Sequence, residues 1–487
     1  MFVACFIVLC LVFLVYQLWR KKDIYKLDKQ LNSGIFSLPI LGHSYLFIGN
    51  KESNMKAWQT LGRDAIRNEN GLSSVWLGTN FNTMVADPIA AEFILKTCLE
   101  KDEVMNMAKL FVGNGLIFAP VSIWKPRRKV LLPTFGPKNM RHFLTMFNKH
   151  SGILAAQLNN AVGNPTSVWK YFTAYTMDVI ADATLGYEMH ALRDTSHPFI
   201  TAIDEGLASA AKRMVSPWLY PDIVYNSLPV FQRLLKLKDY LWDFVGQLIK
   251  TKRKEIEANE NKEEIEYKQH LKTFLELLIK SSGGENGYTD TEIIEELMVI
   301  IIAGNDTSAV GSSFISLMLS RHLDVQEKIY QELQEVFGDS NRAPTTEDLV
   351  HLKYLDAVIR ETLRLYPPVP IITRKVDRTI ILPSGLKLVA GTGVFMNIWA
   401  VHRNPRYWGE DAEQFRPERF LEAKLTHPAA FMPFSYGPRN CVGYQFAMTS
   451  MKTVLSTVLR QYQVFPVTPG DAPPLRLTFD LMMKDAD

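Results

Sequence analysis

The decapeptide Phe434-Ser435-Tyr436-Gly437-Pro438-Arg439-Asn440-Cys441-Val442-Gly443 constrains this 487-residue chain more than any other stretch. Its spaced residues Phe434, Gly437, Arg439, Cys441 and Gly443 form the pattern F-x-x-G-x-R-x-C-x-G. Ordinary residue frequencies would place that pattern in such a chain with a probability below about 10⁻⁴, so the match is specific. The two glycines let the backbone approach a flat group. A helix expected from about Gly443 to Gln463 turns its N-terminal dipole and free N–H groups toward the Cys441 sulfur. Such groups favour the thiolate, the form in which cysteine ligates a metal. Cys5 and Cys10 lie in an apolar N-terminal run, and Cys98, in the helix-like stretch Ala91 to Cys98, reads as a small buried thiol. This usage argues against a disulfide framework.

Hydrophobic residues make up 47% and charged residues 22%, enough for a large core and unlike a disordered or fibrous chain. A formal net charge of +3 gives no broad basic surface and argues against a nucleic-acid partner. Met1 to Trp19 carry no charged side chain. As a helix rising about 1.5 Å per residue they cover roughly 28 Å of a ~30 Å hydrocarbon core. The run lacks a basic leading region and a small-residue cleavage site, and it ends in Trp19-Arg20-Lys21-Lys22, so it reads as a retained transmembrane anchor. Basic residues follow it and none precede it, which puts the body on the cytosolic side of the membrane. The expected organisation is an anchor over 1–19, a connector and hinge over 20–42 ending in Leu38-Pro39-Ile40-Leu41-Gly42, and one domain over 43–487. No linker, repeat or low-complexity segment divides that body.

The runs 73–78 and 83–86 read as short strands, whereas most of 140–370 has apolar residues recurring at three and four, the period of amphipathic helices. The mixed charges of 251–270 mark a solvated helix end. Thr289 with Glu292 is a capping-box pair, so a buried helix is predicted from near 290 past 315, with Ala303-Gly304-Asn305-Asp306-Thr307-Ser308 at its middle. A second helix is predicted to start near Thr345 or Leu352 and to stop before Pro367-Pro368. Glu361 and Arg364 lie in its last turns. Taken alone, Glu361 and Arg364 are a surface pair, Trp124 and Arg128 are packing plus solvation, and 303–308 is a polar interruption of a buried helix.

Together, and in this order, these motifs resemble the cytochrome P-450 superfamily of haem-thiolate monooxygenases. Glu361-Thr362-Leu363-Arg364 matches its E-x-x-R, Phe415 to Phe420 its F-x-P-E-R-F, Trp124 to Arg128 its W-x-x-x-R, and 303–308 its oxygen-activation motif. The resemblance implies a mainly α fold with a small β region, preceded by one transmembrane helix. It implies haem b with Cys441 as iron ligand, a loop shaped by Phe434, Gly437 and Gly443, and propionates held by Arg439, Arg374, Arg128 and Trp124. Ala303 and Gly304 would face the oxygen side, with Gly304 leaving room for dioxygen. Thr307 would donate a hydrogen bond to the oxygen, and Asp306 would refill the proton relay. Glu361, Arg364 and Arg419 would form a buried structural ionic triad. Pro126 departs from the family pattern and is expected to delay or distort the start of its helix.

Electrons would come from NADPH through a cytochrome P-450 reductase, with cytochrome b5 as an optional donor, and the membrane implied is the endoplasmic reticulum. Lys125, Arg127 and Lys129 read either as a docking patch or as a solvated helix end. The segments 364–372 and 433–441 look like the clan of fatty-acid ω-hydroxylases and insect microsomal members. Ala303 stands where many ω-hydroxylases carry a glutamate able to esterify the haem, which leaves hormone- or pheromone-like lipids and xenobiotics open as substrates. Phe111, Ile371, Ile372, Phe479, Leu481 and Met482 lie in segments that border the substrate in this family, and Trp218-Leu219-Tyr220 would make a secondary membrane contact. Rival readings are a haem-thiolate isomerase or dehydratase without dioxygen, and a non-enzymatic lipid or haem binder.

Overall fold

The structure is a computed structural model, and it describes residues 19–260, 273–281, 287–422, 425–467 and 474–486. Apart from Trp19, the expected anchor lies outside these residues, and no described helix is long and apolar enough to cross a membrane. The longer helices of the first half are α1 (Lys22–Leu31), α2 (Lys51–Arg67), α3 (Pro88–Thr97), α4 (Val121–Leu131), α5 (Pro137–Leu158), α6 (Val168–Leu185), α7 (Pro198–Met214) and α8 (Pro229–Glu260). Those of the second half are α9 (Asp290–Arg321), α10 (Leu323–Phe337), α11 (Lys353–Leu365) and α12 (Tyr444–Leu459). Charged residues 251–260 continue α8, and the rest of that charged run lies outside the described residues.

Strands β1 (Leu72–Leu77), β2 (Asn80–Val85), β3 (Ile371–Lys375) and β6 (Gly393–Asn397) form one sheet in the order β1-β2-β6-β3. Only the β2–β6 pairing, which joins distant parts of the chain, is parallel. Two hairpins complete the β structure, β4 (Ile380–Ile381) with β5 (Lys387–Leu388), and β7 (Leu477–Phe479) with β8 (Met483–Asp485). The last hairpin is tied to the segment after α11 by the Met483 amide, which donates to the Pro368 carbonyl at 2.9 Å.

α9 is the axis of the molecule and packs along α6, with α8, α11 and α12 around it. Its start is set by a complete capping box. The Glu292 amide donates to Thr289 Oγ1 at 3.3 Å, and Glu292 Oε2 accepts from the Thr289 amide at 2.9 Å. Leu297 to Ile302 are buried on all sides, each aliphatic side chain removing roughly 1.5–3 kcal/mol of hydrophobic cost. Both starts expected for the second helix are used. Thr345 caps a short helix at Thr346–His351, Leu352 breaks it, and α11 begins at Lys353 and ends at Leu365, ahead of Pro367.

One expectation needs correction. Pro126 does not delay α4, because the helix starts five residues earlier at Val121, where the Pro120 carbonyl accepts from the Trp124 amide at 2.8 Å. The 38–42 segment forms a tight turn, as its proline and glycine imply. Leu38 and Gly42 exchange backbone hydrogen bonds, Gly42 bridges to Leu77, and its φ of +59° beside the Trp76 carbonyl suits only glycine.

Candidate active site

A cavity lies between α9 and the N-terminus of α12, and Cys441 sits in its wall. The Cys441 amide donates to the Phe434 carbonyl at 2.9 Å, which closes the 434–441 loop on itself. Gly437 turns that loop with φ +74°, and a Cβ there would stand 2.8 Å from the Leu95 carbonyl oxygen at the end of α3. No other residue type suits that turn. Gly443 caps α12, and its amide is hydrogen-bonded to the Cys441 sulfur. The open area of Cys441 faces the cavity rather than the outer surface, so the thiol is desolvated although exposed. Burial therefore pushes its pKa up, opposed by the Gly443 amide and the Arg128 guanidinium. A bound cation would reverse that balance and hold the thiolate.

Three cations, Lys101, Arg128 and Arg439, line the same cavity, and a fourth, Arg374, two residues from Ile372 on β3, lies buried within electrostatic reach of Lys101 and Arg439. Arg439 donates to the carbonyls of Leu99 and Ala119 at 2.8 Å and packs on the Trp124 ring. Arg128 donates to the Asn440 carbonyl at 2.8 Å and to Asn440 Oδ1 at 2.5 Å. Arg374 is fully buried, donates only to the Thr373 carbonyl at 2.7 Å, and leaves Nε and Nη2 without partners. Among the described residues, no carboxylate is ion-paired with any of the four. Burial, reinforced by the charge of Arg439, pushes Arg374 down to about 9. Burial takes Arg439 down to about 10, and Lys101 falls well below its usual value for the same reason. Orphaned donors and uncompensated buried cations call for an anion, because an unpaired buried charge is costly. A flat group carrying a metal over Cys441 and carboxylates at its edge fits this set, and haem b with its two propionates has that chemistry.

The facing wall is α9, which contributes Ala303, Gly304, Thr307 and Ser308. Gly304 lines the cavity, and a Cβ on it would stand 2.6 Å from Ile180 Cδ1, so α6 packs closely against α9 at this glycine. The Thr307 hydroxyl donates to the Ala303 carbonyl at 2.7 Å. Asp306 does not line the cavity. It is buried with Lys484 Nζ 3.2 Å from Oδ1, an ion contact whose angle leaves both oxygens without a formed hydrogen bond. Burial pushes its carboxyl up to about 6 against the pull of Lys484.

Glu361, Arg364 and Arg419 meet in the interior. Glu361 accepts from Arg364 Nε and Nη2 at 2.7 and 2.9 Å, from Arg419 Nε at 3.1 Å and from the Arg416 amide at 2.8 Å. Arg364 also donates to the carbonyls of His402, Ala412 and Gln414 at 2.8, 2.6 and 3.0 Å. Its five N–H groups are all used.

Of the expected substrate-bordering residues, only Ile372 reaches the cavity. Phe111 packs against Gly206, and Ile371, Phe479, Leu481 and Met482 belong to the core beside the sheet. Arg127 is buried, ion-paired with Glu292 at 2.6 Å and Glu296 at 2.9 Å, so it belongs to no docking patch, whereas Lys125 and Lys129 are exposed. Lys101 and Ile180 escaped the sequence reading. Glu100-Lys101-Asp102 looks like any solvated charged turn, and Ile180 is one of many apolar residues on α6.

The family model "Cytochrome P-450" matches residues 45–486. The chain is 29% identical to "Cytochrome P-450 4c21" of Blattella germanica over 453 residues, covering 91% of this chain and 88% of that protein. It is 30% identical to "Cytochrome P-450 4c3" of Drosophila melanogaster over 505 residues, covering 98% and 91%. It is 34% identical to "Cytochrome P-450 4V2" of Mus musculus over 375 residues, covering 75% and 71%. With a family match that spans the cysteine loop, the cation cluster and the buried triad, the chain belongs to the cytochrome P-450 family of haem-thiolate monooxygenases.

Proposed function

We propose that this enzyme inserts one oxygen atom from dioxygen into a lipophilic small molecule, with electrons from NADPH delivered by a reductase and optionally by cytochrome b5. The observation that carries the reading is one cavity with Cys441 on one side and Thr307 on the other, lined between them by Ile117, Val299, Ile300, Val369 and Ile372. Haem b, when bound, supplies the one-electron and dioxygen chemistry. Cys441 would hold its metal by the sulfur. Lys101, Arg128, Arg374 and Arg439 would hold its anionic edge, and Trp124 would support the two outer arginines. The aliphatic wall excludes water and favours a greasy substrate. Thr307, whose hydroxyl donates to the Ala303 carbonyl at the cavity wall, would hold and pass a proton there, with Asp306 next to it on the helix.

The resemblance to the clan of fatty-acid ω-hydroxylases and insect microsomal members, together with the aliphatic cavity lining, favours a lipid-like substrate, while Ala303 at the cavity wall has no carboxylate with which to esterify the haem. Hormone- or pheromone-like lipids and xenobiotics meet the same lining. An endoplasmic-reticulum location with a cytosolic body is supported by the charge-free run 1–19 and by exposed Phe36, Ile40, Leu41, Trp218, Ile223 and Val224. Gly78 joins these two groups, with its amide on the Leu41 carbonyl and its Cα side against Pro217.

The test is coupling. Wild type should consume oxygen and NADPH with product formation. Thr307→Ala should keep haem and substrate binding while hydrogen peroxide rises and product per NADPH falls, since a positioned proton donor is worth about 10²- to 10⁴-fold. An isomerase or dehydratase would show no product-coupled NADPH use in the wild type. Unchanged coupling in Thr307→Ala would leave Thr307 a packing residue.

A further inference from the structure

A second cavity lies beside the start of α1 and shares no lining residue with the one around Cys441. Lys21 and Ile24 form part of its wall, together with the β1–β2 turn and the segment 102–107, and Lys375 and Gly393 bring β3 and β6 to it. Gly393 is the register partner of both Asn82 on β2 and Lys375 on β3. A Cβ on Gly393 would collide with Asn82 Oδ1 and with Asp102 Oδ2, so both oxygens border the space that this glycine leaves. Neither oxygen accepts a hydrogen bond among the described residues. Asn82 is 4% exposed and its amide nitrogen donates to the Asn80 carbonyl at 3.4 Å, while Asp102 takes the Val104 amide on its other oxygen at 3.0 Å. Burial pushes the Asp102 carboxyl up, opposed by that amide. Two converging acceptors without a donor call for a ligand rich in N–H groups, because buried polar groups are otherwise paired.

The same wall carries an unmatched cation. Lys375 pairs with Glu103, whereas Lys21 donates to the Thr79 carbonyl at 2.9 Å and, among the described residues, meets no carboxylate. Acceptors that lack a donor and an ammonium that lacks a counterion suit a ligand bearing both charges. The place of the cavity points to its source. Lys21 stands just after the charge-free run 1–19. Thr79 and Asn80 follow Gly78, which is bonded to Leu41 and packed on Pro217, so exposed Ile40, Leu41 and Trp218 flank the same turn. Basic residues next to exposed apolar ones mark the level of lipid headgroups.

Resting on the membrane reading above, we propose that this cavity binds the phosphoethanolamine headgroup of a membrane phospholipid. The ammonium donates to Asn82 Oδ1 and Asp102 Oδ2, Lys21 holds the phosphate, and the acyl chains run along Ile40, Leu41 and Trp218. A primary ammonium brings three N–H groups to these acceptors. A trimethylated ammonium has none to donate, and a headgroup with phosphate alone leaves both oxygens unmatched beside Glu103. Once bound, the lipid fixes the height at which the body rests on the bilayer.

The test is native mass spectrometry of the full-length, haem-loaded protein extracted from vesicles that contain phosphatidylethanolamine, phosphatidylcholine and phosphatidylglycerol in equal amounts. One phosphatidylethanolamine per protein should survive extraction, about tenfold in excess of either other lipid, as a charge-assisted hydrogen bond would give. Asp102→Asn keeps an acceptor for the Val104 amide but removes the charge, and should bring that ratio close to one at unchanged Tm. If Asp102→Asn does not fold, Lys21→Gln serves instead and should lower phosphatidylethanolamine retention about tenfold. Equal retention of the three lipids by the wild type, preference for either of the others, or wild-type retention in a folded Asp102→Asn or Lys21→Gln protein overturns the inference. Displacement of the lipid by soluble glycerophosphoethanolamine at the same concentration would assign the cavity to a free small molecule and overturn the lipid source. Failure of the membrane reading is distinguishable, because the protein would then sediment with none of these vesicles.

Discussion

Replacing Arg364 by lysine tests the buried triad with charge held constant. The guanidinium spends its five N–H groups on Glu361 twice and on the carbonyls of His402, Ala412 and Gln414. An ammonium has three N–H groups on one nitrogen and leaves at least two of these acceptors unmatched in a fully buried site. At about 1–3 kcal/mol for each orphaned group, the expected loss is roughly 2–6 kcal/mol. An unfolding entropy near 2.1 cal/mol/K per residue amounts to about 1 kcal/mol/K for 487 residues, so Tm should fall by about 2–6 °C. Circular dichroism melts of the haem-loaded protein at a fixed scan rate read this directly. The carbonyls involved belong to 402–414, and the ring nitrogen of His402 in turn accepts from the Met432 amide just before the cysteine loop. The thiolate-type spectrum of the reduced carbon monoxide complex should therefore weaken as well. A variant that melts within about 1 °C of wild type with an intact spectrum would refute the claim that matched donors hold this segment.

Cys441→Ala should abolish the thiolate-type carbon monoxide spectrum, and a normal spectrum would remove Cys441 as ligand. Glu296 supplies a pH dependence. Burial raises its carboxyl to about 7 against the Leu116 amide and Arg127, so the folded state carries an extra proton between the ordinary value of 4.5 and 7. Its contribution is therefore complete below about pH 4.5 and is lost as pH rises through 7, by about 3 kcal/mol relative to Glu296→Gln, and parallel stability profiles for the two proteins would contradict it. Deleting residues 1–22 should weaken membrane binding without loss of haem, leaving residual attachment through the apolar surface around Ile40 and Trp218. In sealed microsomes the full-length body should be digested by added protease, and protection would contradict the proposed orientation.

What could be read from the sequence was local chemistry. The cysteine loop, the capping box at Thr289, the helix start near Thr345, the stop before Pro367 and the first two strands each depend on residues within about ten positions of one another, and their spacing carries the signal. The motifs therefore marked Cys441, Arg439, Arg374 and Arg128 as cofactor-binding candidates and Glu361, Arg364 and Arg419 as partners. Tertiary structure alone decided which other groups join them. Lys101 lies near Arg374 and Arg439 because β3 and the cysteine loop converge there, with Arg128 of α4 on the same cavity. Gly304 packs against Ile180 of α6, Arg127 is withdrawn from the surface by two glutamates of α9, and Asp306 turns to a lysine on the last hairpin. The physical reason is that periodicity reports which face of a helix is buried, whereas the partner of a buried charge is set by packing between segments far apart in the chain, and desolvation makes that partner matter most where sequence shows it least.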